Sequence, residues 1–274
     1  MGWGDEILAA GEAQRIFDET GQKVAITDRS GNVRWSDIWQ GNPAIATIEE
    51  SLGDHVQRII NGTNARPYNA NVPFTAASGV AFTDWRARDH RGRIYLSERE
   101  RGYGTRLRAR VGPYWVIEPS LPAKGTPNKR WPFARFQAIV QRPADWRWAQ
   151  LLHHDSRQLD GVDGVSTLTF RDACGVLASA EGYVGPEGGL HHAAAALGIP
   201  AVVLFGGCMS VETFGYPEHT NIADDGPESP CGRWLPCDHC TRAMLAISVD
   251  QVWDAVKRTG CIVTRTISPG DAHA

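Results

Sequence analysis

The spacing of apolar positions changes several times along the chain, and each change predicts an element. Ile7, Leu8, Ala10, Ala13, Ile16 and Phe17 recur at helical spacing, so a glycine loop at Gly2-Trp3-Gly4 should lead into a helix ending near residue 19. Asp5 would stand at the cap of that helix, an ordinary place for aspartate because its side chain can accept from the free N–H groups. Lys23-Val24-Ala25-Ile26-Thr27 reads as a short strand, and turn signals at Asn42-Pro43 and Gly62 bracket a helix expected over 48–60. Ile94-Tyr95-Leu96 reads as a further strand. Val111-Gly112-Pro113 marks a junction, after which Tyr114-Trp115-Val116-Ile117 is apolar at every position, as in a parallel strand buried on both faces. A helix over 133–141, a strand over 148–153, an edge segment over 165–170 and a helix over 171–180 follow. This alternation predicts a parallel sheet covered by helices. Ser248 opens a C-terminal helix.

The densest pattern lies between residues 182 and 207. Tyr183-Val184 read as strand, Gly188-Gly189 as a turn in which side chains would obstruct the backbone, and Ala193 to Leu197 as a helix of small residues. Gly198 ends that helix, Pro200 prevents its continuation, and Ala201-Val202-Val203-Leu204-Phe205 is again apolar. A helix starting at a Gly-Gly turn presents unpaired N–H groups and the positive end of its dipole, which suits an anion. Glu187, His191 and His192 are expected at its mouth. A βα crossover whose glycines serve packing alone remains the alternative.

At 274 residues, with 42% hydrophobic and 22% charged positions, the chain has the composition of a globular protein of one large or two small domains. A net charge of −3 gives no general reason to expect nucleic acid or membrane. The acidic start Met1-Gly2-Trp3-Gly4-Asp5-Glu6 lacks the basic region of a signal peptide, and the apolar run 193–209 is broken by Gly198 and Pro200. A cytoplasmic protein without a transmembrane segment is the expectation.

The run Val-Gly-Pro-Glu-Gly-Gly-Leu-His-His-Ala-Ala-Ala-Ala-Leu-Gly-Ile-Pro-Ala-Val-Val-Leu-Phe-Gly, residues 184–206, resembles the donor-site signature of the heptosyltransferase-like glycosyltransferases of family 9, a GT-B class. Gly2-Trp3-Gly4-Asp5 before an apolar helix resembles the first loop of the same family, and Lys129-Arg130-Trp131-Pro132 its segment after the first strand of the second domain. The resemblance implies two Rossmann-like α/β domains facing across a cleft, an acceptor-side domain over 1–112 and a donor-binding domain over 113–274. It implies Asp5 as catalytic base, and Lys129, Glu187, Gly188, Gly189 and His192 as donor-binding residues. The family usually has Asp where this chain has Glu187, and Thr or Ser where it has Gly188. Relatives also carry a strand before the first loop, which this sequence does not show. The implied reaction is inverting transfer of a sugar from a nucleotide-diphosphate sugar, ADP-heptose by family default, to a hydroxyl of a lipopolysaccharide or related glycan. No metal is required, because N–H groups, Lys129 and His192 can stabilise the leaving diphosphate. A non-catalytic nucleotide-sugar-binding module and a glycosyltransferase acting on a hydroxylated DNA base are the competing readings. A Rossmann dehydrogenase is disfavoured, since no Gly-Xaa-Gly-Xaa-Xaa-Gly follows a strand.

Three features lie outside those motifs. Arginine is dense over residues 86–110 (Arg86, Arg88, Arg91, Arg93, Arg99, Arg101, Arg106, Arg108 and Arg110), and reads first as a solvated face partly neutralised by Asp89, Glu98 and Glu100. The alternative is a surface for an anionic acceptor, a phosphorylated glycan before a nucleic acid, since guanidinium binds phosphate bidentately. Trp35, Trp39 and Trp85 read as packing residues, with stacking on an acceptor as the second option, and Phe214-Gly215-Tyr216-Pro217 as a wall for a nucleotide base. Cys231, Cys237 and Cys240 with His239 contain a Cys-Xaa2-Cys step. Structural thiols are preferred there over a structural zinc, because Cys231 stands too far upstream for a standard pair of pairs.

Overall fold

In chain order the elements are α1 (Trp3–Thr20), β1 (Val24–Thr27), β2 (Gln57–Ile60), α2 (Glu98–Val111), β3 (Tyr114–Ile117), α3 (Phe133–Val140), β4 (Arg147–Leu152) and β5 (Asp163–Ser166). After them come α4 (Phe170–Leu177), β6 (Gly182–Pro186), α5 (Gly189–Ala196), β7 (Ala201–Gly206), α6 (Val211–Phe214), β8 (Thr220–Ala223), α7 (Asp238–Ala246) and α8 (Val249–Thr266). The structure is a computed structural model and describes residues 2–62, 91–119, 125–154 and 156–266, the last six by backbone alone. Trp85, Arg86 and Arg88 lie outside the described residues.

The larger sheet has six parallel strands in the order β5-β4-β3-β6-β7-β8. Its chain path starts at β3 in the middle, runs outward to β5, then crosses back to β6 and runs out the other way. That is the doubly wound order, and it opens a crevice at the carboxyl ends of β3 and β6 where the direction reverses. Strand residues alternate between two apolar layers. Tyr114, Val116, Tyr183, Val203 and Phe205 face a core that includes α4 and α5. Trp115, Ile117, Val184, Val202 and Leu204 face the core under α3, α7 and α8. Burial on both faces is why these strands show no polar alternation.

Residues 2–62 add β1 and β2, paired in parallel from Val24–Gln57 to Thr27–Ile60. Ile7, Leu8, Ala10, Val24, Ile26 and Trp39 join the same apolar layer as Tyr114, Val116 and Tyr183. At a second crossing, α2 lies on α4 with almost no space between backbones: a Cβ at Gly175 would fall 1.9 Å from the Glu100 carbonyl oxygen. Arg171 locks that crossing with bonds of 2.6 and 2.8 Å to the Glu100 carboxylate, and it donates to the carbonyls of Asp37 and Tyr95.

Three local expectations fail for traceable reasons. The helix over 48–60 is replaced by a short 3-10 turn at Glu50–Leu52 and strand β2, because the edge of β1 needs backbone partners that 57–60 supply. Residues 94–96 form no strand: the Tyr95 carbonyl is bonded to Arg171, and Ile94 packs into the core. The first segment is no loop, since α1 starts at Trp3, with Gly2 at the N-cap and Asp5 in the first turn. The C-terminal helix does begin after Ser248, whose hydroxyl accepts from Gln251 N–H at 3.1 Å. No helix among the described residues is long and apolar enough to cross a membrane.

Candidate active site

The doubly wound order predicts a site where the loops after β3 and β6 meet, and two opposite charges meet there. Lys129 ends a 3-10 turn (Pro127–Lys129) in the segment after β3; Glu187 follows β6 directly. Their side chains form an ion pair that is 14% and 5% exposed. Burial works against the Lys129 ammonium, but the charge of Glu187 first, then its hydrogen bond and the charge of Asp5, outweigh it and raise its pKa. Burial also disfavours the Glu187 carboxylate, yet the Lys129 ammonium and the bond from His192 hold it well below the usual carboxylate range. Both groups are therefore charged at neutral pH.

His192 extends the network. Its Nε2 lies 3.1 Å from Glu187 Oε1 and its Nδ1 2.9 Å from the Tyr216 hydroxyl. An ionised carboxylate only accepts, so Nε2 carries a proton and donates to Glu187, while Nδ1 shares a hydrogen bond with the Tyr216 hydroxyl. His191 lies beside it, the two ring centroids 4.5 Å apart. His191 is fully buried, packs against Phe205 and His219, and has no hydrogen-bond partner on either ring nitrogen among the described residues. Burial keeps it neutral by driving its pKa well below the usual value. Both imidazoles lie beside Glu187 as expected, the ligand atoms of the three residues being within 4.8 Å of one another, but of the two rings it is His192 that is hydrogen-bonded to Glu187 and Tyr216.

Helix α5 begins beside this network. Gly188, its N-cap, has no side chain, so no capping bond from it reaches the first N–H groups of α5. The expected obstruction at Gly188 is not found, because its backbone is extended and an added Cβ would meet nothing within 4 Å among the described residues. Gly189 does meet a limit: a Cβ there would lie 3.2 Å from Trp3 Cβ. A Cβ on Gly4 would fall 2.8 Å from His192 Cδ2. The opening turn of α1 therefore rests directly on the start of α5, and Gly4 permits the approach. Asp5 is half-buried there, its Oδ2 accepting from Gly2 N–H at 3.0 Å. Sequence reasoning brought Asp5, Lys129, Glu187, Gly188, Gly189 and His192 to one place, and the fold gathers them. It did not find Tyr216 as the partner of His192. The aromatic segment after β7 was the available signal.

A family model described as glycosyltransferase family 9 (heptosyltransferase) matches residues 74–233, more than half of the chain. The chain belongs to that family. Glycosyl transfer from a nucleotide sugar is accordingly its class of activity. No curated protein matches the sequence. Among solved structures, the glycosyl transferase family 9 protein of Veillonella parvula DSM 2008 has a TM-score of 0.66 at 12% identity, covering 96% of this chain and 95% of that one. TibC, a bacterial iron-containing dodecameric glycosyltransferase of enterotoxigenic E. coli H10407, gives 0.60 at 14% identity over 98% and 75%. E. coli heptosyltransferase WaaC with ADP gives 0.54 at 12% identity over 97% of each chain. At such identities the likeness is one of fold.

In this family 9 chain two groups among the described residues bring several metal-ligating atoms within 4.8 Å of one another. Glu187, His191 and His192 form one, but the Lys129 ammonium already neutralises Glu187 and would repel a further cation. Cys231, Cys237, His239 and Cys240 form the other. The arginines of α2 are largely engaged: Arg99 pairs with Asp172 at 2.9 Å, Arg108 with Glu181 at 2.5 Å and Arg110 with Asp163 at 3.9 Å, while Arg91 pairs with Glu218. Trp39 is buried and donates to the Glu6 carbonyl, whereas Trp35 is 37% exposed. With Trp3, Glu6 and Asp37, Trp35 lines a cleft of about 260 Å³ beside the opening of α1.

Proposed function

We propose that the chain is an inverting glycosyltransferase that moves a sugar from a nucleotide-diphosphate donor, an ADP-heptose-like sugar, to an acceptor hydroxyl. The observation behind this is the Lys129–Glu187–His192 network at the crevice of the sheet, with the first turn of α1 laid against it. Residues 113–274 would form the donor-binding half and residues 1–112 the acceptor side.

The donor diphosphate would lie at the start of α5. Glu187 holds Lys129 and His192 in position, and Lys129, with three N–H donors, keeps two for phosphate oxygens. As the bond from the anomeric carbon to the diphosphate breaks, negative charge builds on the leaving group. Free N–H groups at Gly189 and beyond, Lys129 and the helix dipole oppose that charge. Asp5 takes the acceptor proton while the acceptor oxygen bonds to the anomeric carbon from the opposite face, which inverts it. These protein groups suffice without a catalytic metal. The acceptor would be a glycan such as a lipopolysaccharide core, bound on the cleft side of α1. An anionic acceptor on α2 has less support, since the arginines above already carry acidic partners, and a DNA base has less still. A cytoplasmic location goes with this reading.

A thermal-shift panel of ADP-, UDP-, GDP- and TDP-sugars tests it. A donor that binds only the folded chain raises the melting temperature, by about 2.7 kcal/mol of stabilisation at a hundredfold excess over Kd. ADP-sugars should give the largest shift, and Lys129→Ala should abolish it. No shift with any nucleotide sugar would contradict the proposal. Binding without turnover on any acceptor would leave a nucleotide-sugar-binding module.

A further inference from the structure

The cysteine region, which the reaction does not use, has the geometry of a metal centre. Cys208 follows β7, Cys231 lies in the loop after β8, and Cys237 and Cys240 flank the start of α7. The fold brings the ligand atoms of Cys231, Cys237, His239 and Cys240 within 4.8 Å of one another, although 231 and 237 are separated by a full loop. Spacing in the sequence disfavoured this set; the loop after β8 doubles back and removes the objection. Cys231 Sγ and Cys240 Sγ are 3.1 Å apart, and His239 Nδ1 is 3.9 Å from Cys240 Sγ.

The surroundings of His239 point the same way. Its Nε2 lies 3.1 Å from Ser229 Oγ and 3.3 Å from Asp224 Oδ2, and the Ser229 hydroxyl itself donates to Asp224 at 2.6 Å. With Asp224 accepting from Nε2–H, the unprotonated nitrogen is Nδ1, the one facing the sulfurs. A carboxylate behind an imidazole is how proteins fix the tautomer of a metal-bound histidine. A cleft of about 350 Å³ opens onto Cys231, Cys237 and His239 and gives an ion a route in. Three thiolates and one imidazole are the ligands of a tetrahedral structural zinc, and soft sulfur also suits iron.

We propose that Cys231, Cys237, His239 and Cys240 bind a single thiophilic transition-metal ion, zinc by ligand chemistry, in a closed structural site. The ion would join the loop after β8 to α7 beside the active site. Asn128 transmits that order: its side-chain amide donates to the carbonyls of Arg233 and Leu235, each at 2.8 Å, and its carbonyl accepts from Cys237 N–H at 2.9 Å. Asn128 immediately precedes Lys129, so the metal loop buttresses the turn that presents the donor-binding lysine.

Element analysis by plasma mass spectrometry, on full-length protein purified under reducing conditions without chelator, should find one zinc or iron per chain. Cys231→Ser and Cys237→Ser should each lower that content at least tenfold. Because these variants could misfold, wild-type protein stripped by a chelator and refilled with cobalt(II) is the second arm. It should show tetrahedral d–d bands with thiolate charge transfer and regain the melting temperature lost on stripping. No stoichiometric metal together with no cobalt spectrum would overturn the proposal. So would an intact mass short by two hydrogens with two fewer titratable thiols, which would show a disulfide instead.

Discussion

Replacing Glu187 with glutamine separates a buried working ion pair from an incidental surface one. The substitution keeps shape and removes charge. Lys129 would then hold an ammonium in a place where only 14% of its side chain meets solvent, with its main counter-charge gone. Removing one partner of a buried pair costs about 3–5 kcal/mol, because the remaining charge is stranded. With a urea m-value of roughly 3 kcal/mol/M for a chain of this size, the unfolding midpoint should fall by about 1–2 M. Lys129→Met combined with Glu187→Gln should recover most of the loss, since apolar replacement of both partners is often nearly neutral. ADP should raise the midpoint of Glu187→Gln more than that of wild type, because the diphosphate restores the missing anion. The assay is urea unfolding followed by tryptophan fluorescence, with and without ADP. A loss below about 0.5 kcal/mol, the value of an exposed pair, would refute the burial reasoning. So would a double variant as unstable as the sum of its parts.

Other predictions probe the supports of the site. Arg171 holds the Glu100 carboxyl down from 4.5 to about 2, so the pair's stabilisation is complete above about pH 4.5 and is lost as pH falls toward 2. Urea midpoints of wild type should drop across that window, and Arg171→Met should make the drop smaller while lowering stability at pH 7. Gly4→Ala places a methyl 2.8 Å from His192 Cδ2, so α1 must shift; a loss of about 1–3 kcal/mol in urea and weaker ADP binding by calorimetry are expected. Tyr216→Phe removes one buried hydrogen bond to His192 Nδ1, and should lower stability in urea by about 1 kcal/mol and weaken ADP binding measured by calorimetry.

Much of the six-stranded sheet and its helices was legible from sequence because its signals are redundant. Strand β7 is apolar at every position, Gly198 and Pro200 punctuate the turn before it, and the small residues 193–196 fit only a helix pressed against its neighbours. What escaped was set by long-range partners. Residues 57–60 were read as helix because nothing local shows that β1 has an open edge to satisfy. The backbone at Tyr95 is bonded to a guanidinium on α4, a pairing no window of neighbouring residues contains. In the site, motifs located Lys129, Glu187 and His192 but not their mutual pairing, nor that His192 and not His191 is hydrogen-bonded into it. The cysteine cluster was underrated because linear spacing hides a loop that folds back on itself.

The central claim, that Asp5 faces the diphosphate pocket as a base, is tested most directly by nucleoside-diphosphate release from the donor sugar, with water or a glycan as acceptor. Wild type and Asp5→Asn should be compared while donor Kd is measured in parallel. The account predicts a rate lower by about 10²–10⁴, the usual contribution of a general base, with donor affinity nearly unchanged. Full turnover in Asp5→Asn would contradict it.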